Sequence, residues 1–213
     1  MAEEYKCKLL VEGNEDVHVI KALWGSYNLP IVFDIIDCKS ITKVLANLRI
    51  RLTAPQENQK IGVVVDADED SSARWDAIKG RLAETGKYDC KQIQLQGEGT
   101  ILKSVDSEYP SIGVWIMPDN RLPGMLEDFV ATLAEPEDAL MTKSEKVLDE
   151  IETEGIGRYK PVHRAKAKIH TFLAWQDEPG RPMGQSITAR VLKAGNPSGQ
   201  LFVEWLKRLF LYK

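Results

Sequence analysis

The sequence lacks the features that mark membrane and exported proteins. No apolar run in its 213 residues approaches the roughly 18 residues needed to cross a bilayer. The first four residues, MAEE, carry two acids and lead straight into a strand-like segment, without the basic and apolar regions of a signal peptide. We therefore expect a cytoplasmic protein with no membrane span.

Cysteine and histidine are also scarce, with three of each. Cys7, Cys38 and Cys90 are odd in number and far apart, which argues against a disulfide framework and a zinc ribbon. The three histidines show no metal-ligand spacing either. If the protein holds a metal, the sequence therefore favours oxygen ligands.

What is present is an ordinary globular composition, 43% hydrophobic and 28% charged, with an uneven distribution of charge. The net charge is -4, yet residues 158–213 hold 11 Lys and Arg against three acids. This basic region either meets an anionic partner or faces the acidic remainder of the chain and water, and the sequence leaves both open.

Strand-like runs alternate with amphipathic segments over residues 1–134. We predict strands over 6–11, 31–36, 61–65, 91–95 and 112–117. The predicted helices cover 15–24, 41–52, 72–84 and 125–133. This alternation favours an α/β fold, with a parallel sheet between layers of helices.

Strand signals cease after residue 134. Helical patterns follow over 136–154, 165–175, 187–192 and 201–211, and the last carries a strong apolar stripe. We therefore predict an α/β core over 1–134 and a helical, basic C-terminal extension over 135–213 packed on it.

Acidic residues follow two of the predicted strands. Asp66, Asp68 and Asp70 come directly after the buried run 61–65, and Glu12 follows the first strand, with Asp16 one helical turn later. Since parallel strands end at one edge of a sheet, we expect these carboxylates to meet there. If the chain stays extended, Asp66 and Asp68 also share one side of the strand.

Carboxylates held close together repel one another unless a cation lies between them. Ligands that are all oxygen suit Mg²⁺ or Mn²⁺ rather than zinc. The other interpretation is a solvated acidic turn after a strand.

The segments 10–16 (LVEGNED) and 63–70 (VVVDADED) resemble the two signature segments of the Toprim domain. This domain is shared by type IA and type II topoisomerases, DnaG-type primases, OLD-family nucleases and small maturase ribonucleases. The segments 117–120 (MPDN) and 124–127 (GMLE) resemble a Toprim-related group known as domain of unknown function 3226, and the Leu-Glu segment of OLD-type nucleases.

The resemblance implies a Toprim-like Rossmannoid fold and Mg²⁺- or Mn²⁺-dependent phosphodiester hydrolysis on DNA or RNA. The metal ligands it implies are Glu12, Asp16, Asp66, Asp68, Asp70 and Glu127, with Asp119 as a further candidate. The catalytic set is Glu12, Asp66, Asp68 and Lys168, with Glu12 as either a metal ligand or a general base. Glu127 has a second interpretation as a first-turn acid that stabilises a helix.

The chain also departs from members of the Toprim group. It has no topoisomerase body, no Cys/His cluster of a primase, and no Gly-x-x-x-x-Gly-Lys-Ser/Thr loop of the ATPase fused to OLD nucleases. A nuclease remains, beside two alternatives: another phosphate-ester hydrolase or transferase, and a non-catalytic module that works with a partner ATPase. A homodimer is the remaining partner hypothesis.

In this interpretation, the basic region binds phosphate. The candidate nucleic-acid ligands are Arg158, Lys160, Arg164, Lys166, Lys168, Arg181 and Arg190. Lys166 and Lys168 are preferred by analogy with the lysine that follows the Toprim core in OLD nucleases. For any single residue of the set, the alternative is a solvated helix charge.

Overall fold

A computed structural model describes residues 4–53, 58–90 and 93–212, and within these ranges five strands form one sheet flanked by eight α-helices. The sheet order is β2-β1-β3-β5-β4, in which β4 alone runs antiparallel to its neighbour. The strands are β1 Cys7–Val11, β2 Phe33–Asp37, β3 Lys60–Asp66, β4 Thr100–Leu102 and β5 Ser111–Met117. The predicted α/β class is confirmed as a mixed, mostly parallel Rossmann-like sheet.

The helices cover both faces of this sheet. They are α1 Asn14–Ser26, α2 Ile41–Thr53, α3 Ser71–Ala83, α4 Leu126–Ala131, α5 Ala139–Thr153, α6 Arg164–Ala174, α7 Met183–Thr188 and α8 Pro197–Phe210, with a 3₁₀ turn over Pro161–His163. None of the helices in the described ranges is both long and apolar enough to cross a membrane.

Alternate residues of the buried strands point into two separate hydrophobic cores. In β3, Val63 and Val65 pack in the core shared with α2 and α3, whereas Val64 points to the opposite core. That second core also contains apolar residues of α1, α4, α6, α7 and α8, so it draws on both halves of the chain. Asp66 lies two residues after Val64, and strand alternation therefore directs it to the side of α1 and α4.

Helix α8 lies close against the sheet because two strands present glycine to it. A Cβ atom on Gly113 would come within 2.4 Å of Leu209, and one on Gly62 within 3.2 Å of Leu209 and Phe210. The apolar stripe of α8 is fully buried at this contact, as the sequence pattern predicts for a core helix.

Two predicted elements were wrong. The strand predicted over 91–95 is absent from its described part, 93–95; Ile93 and Leu95 pack against the core without strand pairing, and Thr100–Leu102 pairs with β5 instead. Residues 91 and 92 lie outside the described part of the chain. The helix predicted over 187–192 is displaced to Met183–Thr188, because it begins after Pro182 and ends before Arg190, whose φ of 62° is left-handed.

Candidate functional site

The last residue of β3, Asp66, is joined through hydrogen bonds to two other parts of the chain. Its Oδ1 accepts a hydrogen bond from the main-chain N–H of Leu126 at 2.8 Å, at the start of α4. Its own N–H donates to Oε1 of Glu12 at 3.0 Å, at the end of β1. The sheet edge therefore places Glu12 beside Asp66, as the parallel topology predicts.

Two further carboxylates come from the first turns of helices at this edge. Asp16, in the first turn of α1, accepts a hydrogen bond from the N–H of Gly13 at 3.0 Å and is 6% exposed. Glu127, in the first turn of α4, is 5% exposed. Helix N-termini favour negative charge, so both positions suit an acid even without a ligand.

These four residues, Glu12, Asp16, Asp66 and Glu127, form what we call the carboxylate cluster. Burial, followed by the charges of Asp16, Glu12 and Glu127, raises the pKa of Asp66 to about 8. Burial and then the charge of Glu12 raise the pKa of Asp16 to about 7, and burial raises that of Glu12. The cluster therefore holds more negative charge than its surroundings stabilise near neutral pH.

Two cations partly offset this charge. Lys166 of α6 forms an ion pair with Glu127, with Nζ 3.0 Å from Oε1, and this hydrogen bond raises the pKa of Lys166. Arg74 of α3 forms an ion pair with Asp68 and donates from Nε to the main-chain oxygen of Asp66 at 2.9 Å. The cluster therefore has a basic rim on two sides.

Asp68 reaches the site by a different route from the one that strand alternation suggests. Strand β3 ends at Asp66, and Asp68 has a φ of 52°, so the extended conformation does not continue. Its main chain pairs instead with Gly124, through N–H to O distances of 2.9 and 2.8 Å. After burial, the charge of Asp68 contributes to the raised pKa of Glu12.

The remaining acidic candidates serve local turns. Asp70 is the N-cap of α3, where its Oδ1 accepts hydrogen bonds from the N–H groups of Ser72 and Ala73 at 2.8 and 3.1 Å. Asp119 accepts hydrogen bonds from the N–H groups of Arg121 and Leu122 at 3.0 and 2.8 Å. These bonds explain both residues without a metal, and their role as ligands stays a prediction.

Several of the predicted nucleic-acid ligands are neutralised inside the molecule. Arg164 contacts three carboxylates of α5, those of Glu145, Asp149 and Glu152, and Glu145 also pairs with Lys168. Arg181 pairs with Glu178. Lys166 pairs with Glu127. In the described part of the chain, no ion pair is found for the remaining three members of the set, which are all exposed: Arg158, Lys160 and Arg190.

Of the preferred lysine pair, Lys166 contacts the cluster and Lys168 does not. Burial raises the pKa of Asp128, in the first turn of α4, and the charge of Lys168 offsets part of that rise, but the ion pair of Lys168 is with Glu145. Arg74 was missed by the sequence argument. Its position one helical turn after Asp70 was the available signal, since residues four apart on a helix face the same way.

The carboxylate cluster fits a hard divalent cation in the chemistry of its donors, which are all carboxylate oxygens on a buried edge. The side chains are not converged on a single point. Within residues 4–53, 58–90 and 93–212, no three His, Cys, Asp or Glu side chains are arranged to hold a metal ion. Like charges repel one another in such an arrangement, and Lys166 occupies Glu127 while Arg74 occupies Asp68. Metal binding therefore requires these side chains to rearrange.

The whole arrangement, from β1 to α8, lies within residues 6–211, and a family model described as a protein of unknown function, DUF3226, matches this span. The chain belongs to this family. The match covers the carboxylate cluster and the C-terminal helices alike, and it confirms the resemblance to that group. Comparisons with curated proteins and with solved structures each gave no match.

Proposed function

We propose that this protein hydrolyses phosphodiester bonds of DNA or RNA with Mg²⁺ or Mn²⁺ at a Toprim-type carboxylate cluster. The observation that carries the proposal is the position of Asp66, at the end of a central parallel strand among the carboxylates of Glu12, Asp16 and Glu127. The order of the signature segments and the α/β sheet around them support the Toprim assignment.

Residues of the cluster would hold the cation through oxygen atoms. A divalent cation, when bound, would neutralise the charge that builds on phosphate oxygens and would lower the pKa of a bound water. Glu12 and Asp66 are positioned for ligation because a main-chain N–H steadies one oxygen of each. Asp16, Asp68 and Glu127 complete the set.

The protein itself contributes proton transfer and charge stabilisation. The raised pKa of Glu12 suits a carboxylate that accepts a proton from water near neutral pH. Lys166, with a side chain 52% exposed at the rim of the cluster, can stabilise a phosphate oxygen as well as Glu127. In this proposal, Lys166 has the catalytic role that the resemblance implies for Lys168.

The test is cleavage of labelled single- and double-stranded DNA and RNA in Mg²⁺, Mn²⁺ or EDTA. We expect metal-dependent cleavage that EDTA abolishes and that falls at least about 100-fold in the double variant Asp66→Ala with Asp68→Ala. A matched control is Glu150→Ala with Asp177→Ala, which removes two exposed acids outside the cluster. Cleavage activity that persists in Asp66→Ala with Asp68→Ala would refute the proposal. Nucleotides and simple phosphate esters in the same panel test the related hydrolase or transferase.

A second candidate is a non-catalytic module that acts with a partner ATPase. The ion pairs of Lys166 with Glu127 and of Arg74 with Asp68 favour it, because they stabilise the cluster without a metal. Absence of Mn²⁺ binding at millimolar concentration by the folded protein would select this candidate.

Three further expectations stay proposals. A cytoplasmic location is consistent with the three free thiols of Cys7, Cys38 and Cys90. Measurement of the molecular mass in solution tests the homodimer, and co-purification tests the partner ATPase.

A further inference from the structure

We propose that a groove along α1 guides a single strand of nucleic acid into the carboxylate cluster, with its phosphates on Lys21, Arg190 and Lys193. This inference rests on the proposed function, because it names the substrate form and the surface that delivers it. Of these residues, Arg190 alone belongs to the basic set that the sequence argument selected. We call this surface the α1 groove.

Two adjoining depressions make up the α1 groove. The inner one, of about 410 Å³, is lined by residues of α1 between Asn14 and Ala22 and by α7. The outer one, of about 700 Å³, is lined by the second half of α1 and by residues 187–195. They share Lys21, Ala22 and Thr188, so they form one continuous path.

The path follows α1 from its first residue, Asn14, to Asn28 just beyond its C-terminal end. Asn14 lies two residues after Glu12, and the lining positions Asn14, His18, Lys21 and Gly25 recur at the spacing of one helix face. The 13 residues of α1 extend about 20 Å at 1.5 Å per residue. At about 3.4 Å per stacked nucleotide, that length accommodates about six nucleotides.

The outer half of the groove has a strongly positive lining. Lys21, Arg190 and Lys193 line it, and no Asp or Glu is among its lining residues. In the described part of the chain, no ion pair is found for Lys21 or Arg190, and Lys193 has a loose, exposed pair with Glu135 at 3.4 Å. These cations can therefore meet phosphate without first breaking a tight internal pair.

This arrangement differs from that of the basic residues on α6. Arg164 and Lys168 are enclosed by the acids of α5, so a phosphate would have to displace a carboxylate to reach them. An anionic polymer gains most from cations whose only competitors are small counterions. Charge complementarity therefore places the phosphate chain in the α1 groove rather than on α6.

Helix α7 packs closely on α1 in the wall of the groove, and some of the lining residues are small. A Cβ on Gly184 would come within 2.7 Å of the main-chain oxygen of His18, so α7 packs directly on the α1 backbone. Gly25, Ala194 and Gly195 line the outer part without bulky side chains. This lining suits contact with a sugar-phosphate chain more than recognition of particular bases.

The position of the cations on both walls favours a single strand. Lys21 stands on α1, whereas Arg190 and Lys193 follow α7 on the facing wall. Cations that face each other across a concave path enclose one phosphate chain. A duplex carries its phosphates on a convex outer surface and would touch only the rim.

The experiment measures binding without turnover, as fluorescence anisotropy of a labelled single-stranded oligonucleotide in EDTA. The test variant is Lys21→Gln with Arg190→Gln. The control is Lys43→Gln with Lys103→Gln, which removes two exposed lysines outside the groove lining. We expect the test variant to bind at least about 10-fold more weakly, with the slope of log Kd against log salt reduced by about 1.4, and the control to match wild type. Circular dichroism verifies that both variants are folded.

Four results would overturn the α1 groove as a strand path. Three concern oligonucleotide binding: equal losses in the test and control variants, wild-type affinity in the test variant, and tighter binding of a duplex than of a single strand. A mononucleotide or inorganic phosphate that competes as well as the oligonucleotide would also overturn it, since it would indicate an isolated phosphate site.

Cleavage assays separate this inference from the proposed function. Lys21→Gln with Arg190→Gln should raise KM for a long strand and leave cleavage of a dinucleotide phosphodiester unchanged, while Asp66→Ala with Asp68→Ala abolishes both. Groove-dependent binding without cleavage in any metal would refute the hydrolase and retain the groove. Cleavage that is insensitive to the groove variant would retain the hydrolase and refute the groove.

Discussion

Asp66 illustrates how a residue that is costly to bury can also be central to the proposed chemistry. Its carboxylate is buried at the end of β3, beside three other acids, and its partners in hydrogen bonds are main-chain groups rather than cations. Burying a charge without a counter-charge costs folding free energy, and a bound cation would remove that cost.

Asp66 gives a pH-dependent prediction for stability. Burial and neighbouring charges raise the pKa of the folded carboxyl to about 8, against about 4 when unfolded. Between these values the folded state keeps a proton that the unfolded state has released, so wild-type stability falls as pH rises. Asp66→Asn cannot ionise and retains an acceptor for the N–H of Leu126. We expect its Tm at pH 8.5 in EDTA to exceed that of wild type by at least about 3 °C.

Thermal unfolding at pH 5.5 and 8.5 provides the measurement. The gain should shrink at pH 5.5, where wild-type Asp66 is already protonated, and the exposed Asp177→Asn should show no gain at either pH. Addition of Mn²⁺ at pH 8.5 should raise the Tm of wild type and leave that of Asp66→Asn unchanged. A variant that is no more stable than wild type at pH 8.5 would contradict the electrostatic account.

Lys166 is predicted to compete with a metal for the cluster. Its Nζ lies 3.0 Å from Glu127, a carboxylate whose side chain is 6% exposed. Lys166→Met removes this cation, so we expect Mn²⁺ to bind about 3- to 10-fold more tightly, or about 0.7–1.4 kcal/mol, and catalysis to fall. Isothermal titration calorimetry measures the affinity. Lys168→Met is the matched control on the same helix, and an equal effect there would argue against a specific role for Lys166.

At the scale of elements, helix starts determine which acids enter the cluster. The N-termini of α1 and α4 bring Asp16 and Glu127 to the edge of the sheet, whereas α3 uses Asp70 as its own cap. An acid near a helix N-terminus can serve the helix, a metal, or both. Substitutions that keep the cap but change the charge separate these roles.

Asp70 should behave as a capping residue. We expect Asp70→Ala to lower the free energy of unfolding by about 1 kcal/mol and Asp70→Asn to change it by only a few tenths, because Asn still accepts hydrogen bonds from Ser72 and Ala73. Chemical denaturation measures both. If Asp70 is only a cap, Asp70→Asn keeps Mn²⁺ affinity within about twofold of wild type. A loss of tenfold or more would identify Asp70 as a ligand.

At the scale of the whole molecule, the C-terminal helices are part of the core that supports the site. Buried side chains of α8, including Phe202, Trp205 and Leu209, cover the face of the sheet that carries Gly62 and Gly113. Helix α6 carries Lys166 to the cluster, and α7 forms a wall of the α1 groove. Fold and site therefore both depend on residues beyond 134.

This dependence predicts the behaviour of a shortened chain. Residues 1–134 alone would expose the core face that α8 covers, so we expect no cooperative thermal unfolding and increased binding of a hydrophobic dye. Circular dichroism and dye fluorescence are the measurements, with a chain that ends at Leu211 as the control. A sharp, cooperative transition in the 1–134 chain would show that the α/β part folds independently.

The sequence by itself determined the order of strands and helices from β1 to α3, and with it the edge where Glu12 and Asp66 meet. Periodicity within a segment suffices for this, since it reports the buried face, and parallel strands end together. The apolar stripe of α8 was also predicted correctly to lie in the core. The strand over 91–95 was wrong because Ile93 and Leu95 have strand-like alternation but are only partly buried against the core, without a pairing partner.

The tertiary structure alone decided which charges face one another. Lys166 rather than Lys168 meets the cluster because of how α6 packs on α4. Arg164 is enclosed by acids of α5 because α6 also packs on that helix. Lys21 and Arg190 come to one groove although 168 residues separate them in the chain. Local patterns report which face of a segment is buried, whereas Coulomb interactions depend on distances that only packing establishes.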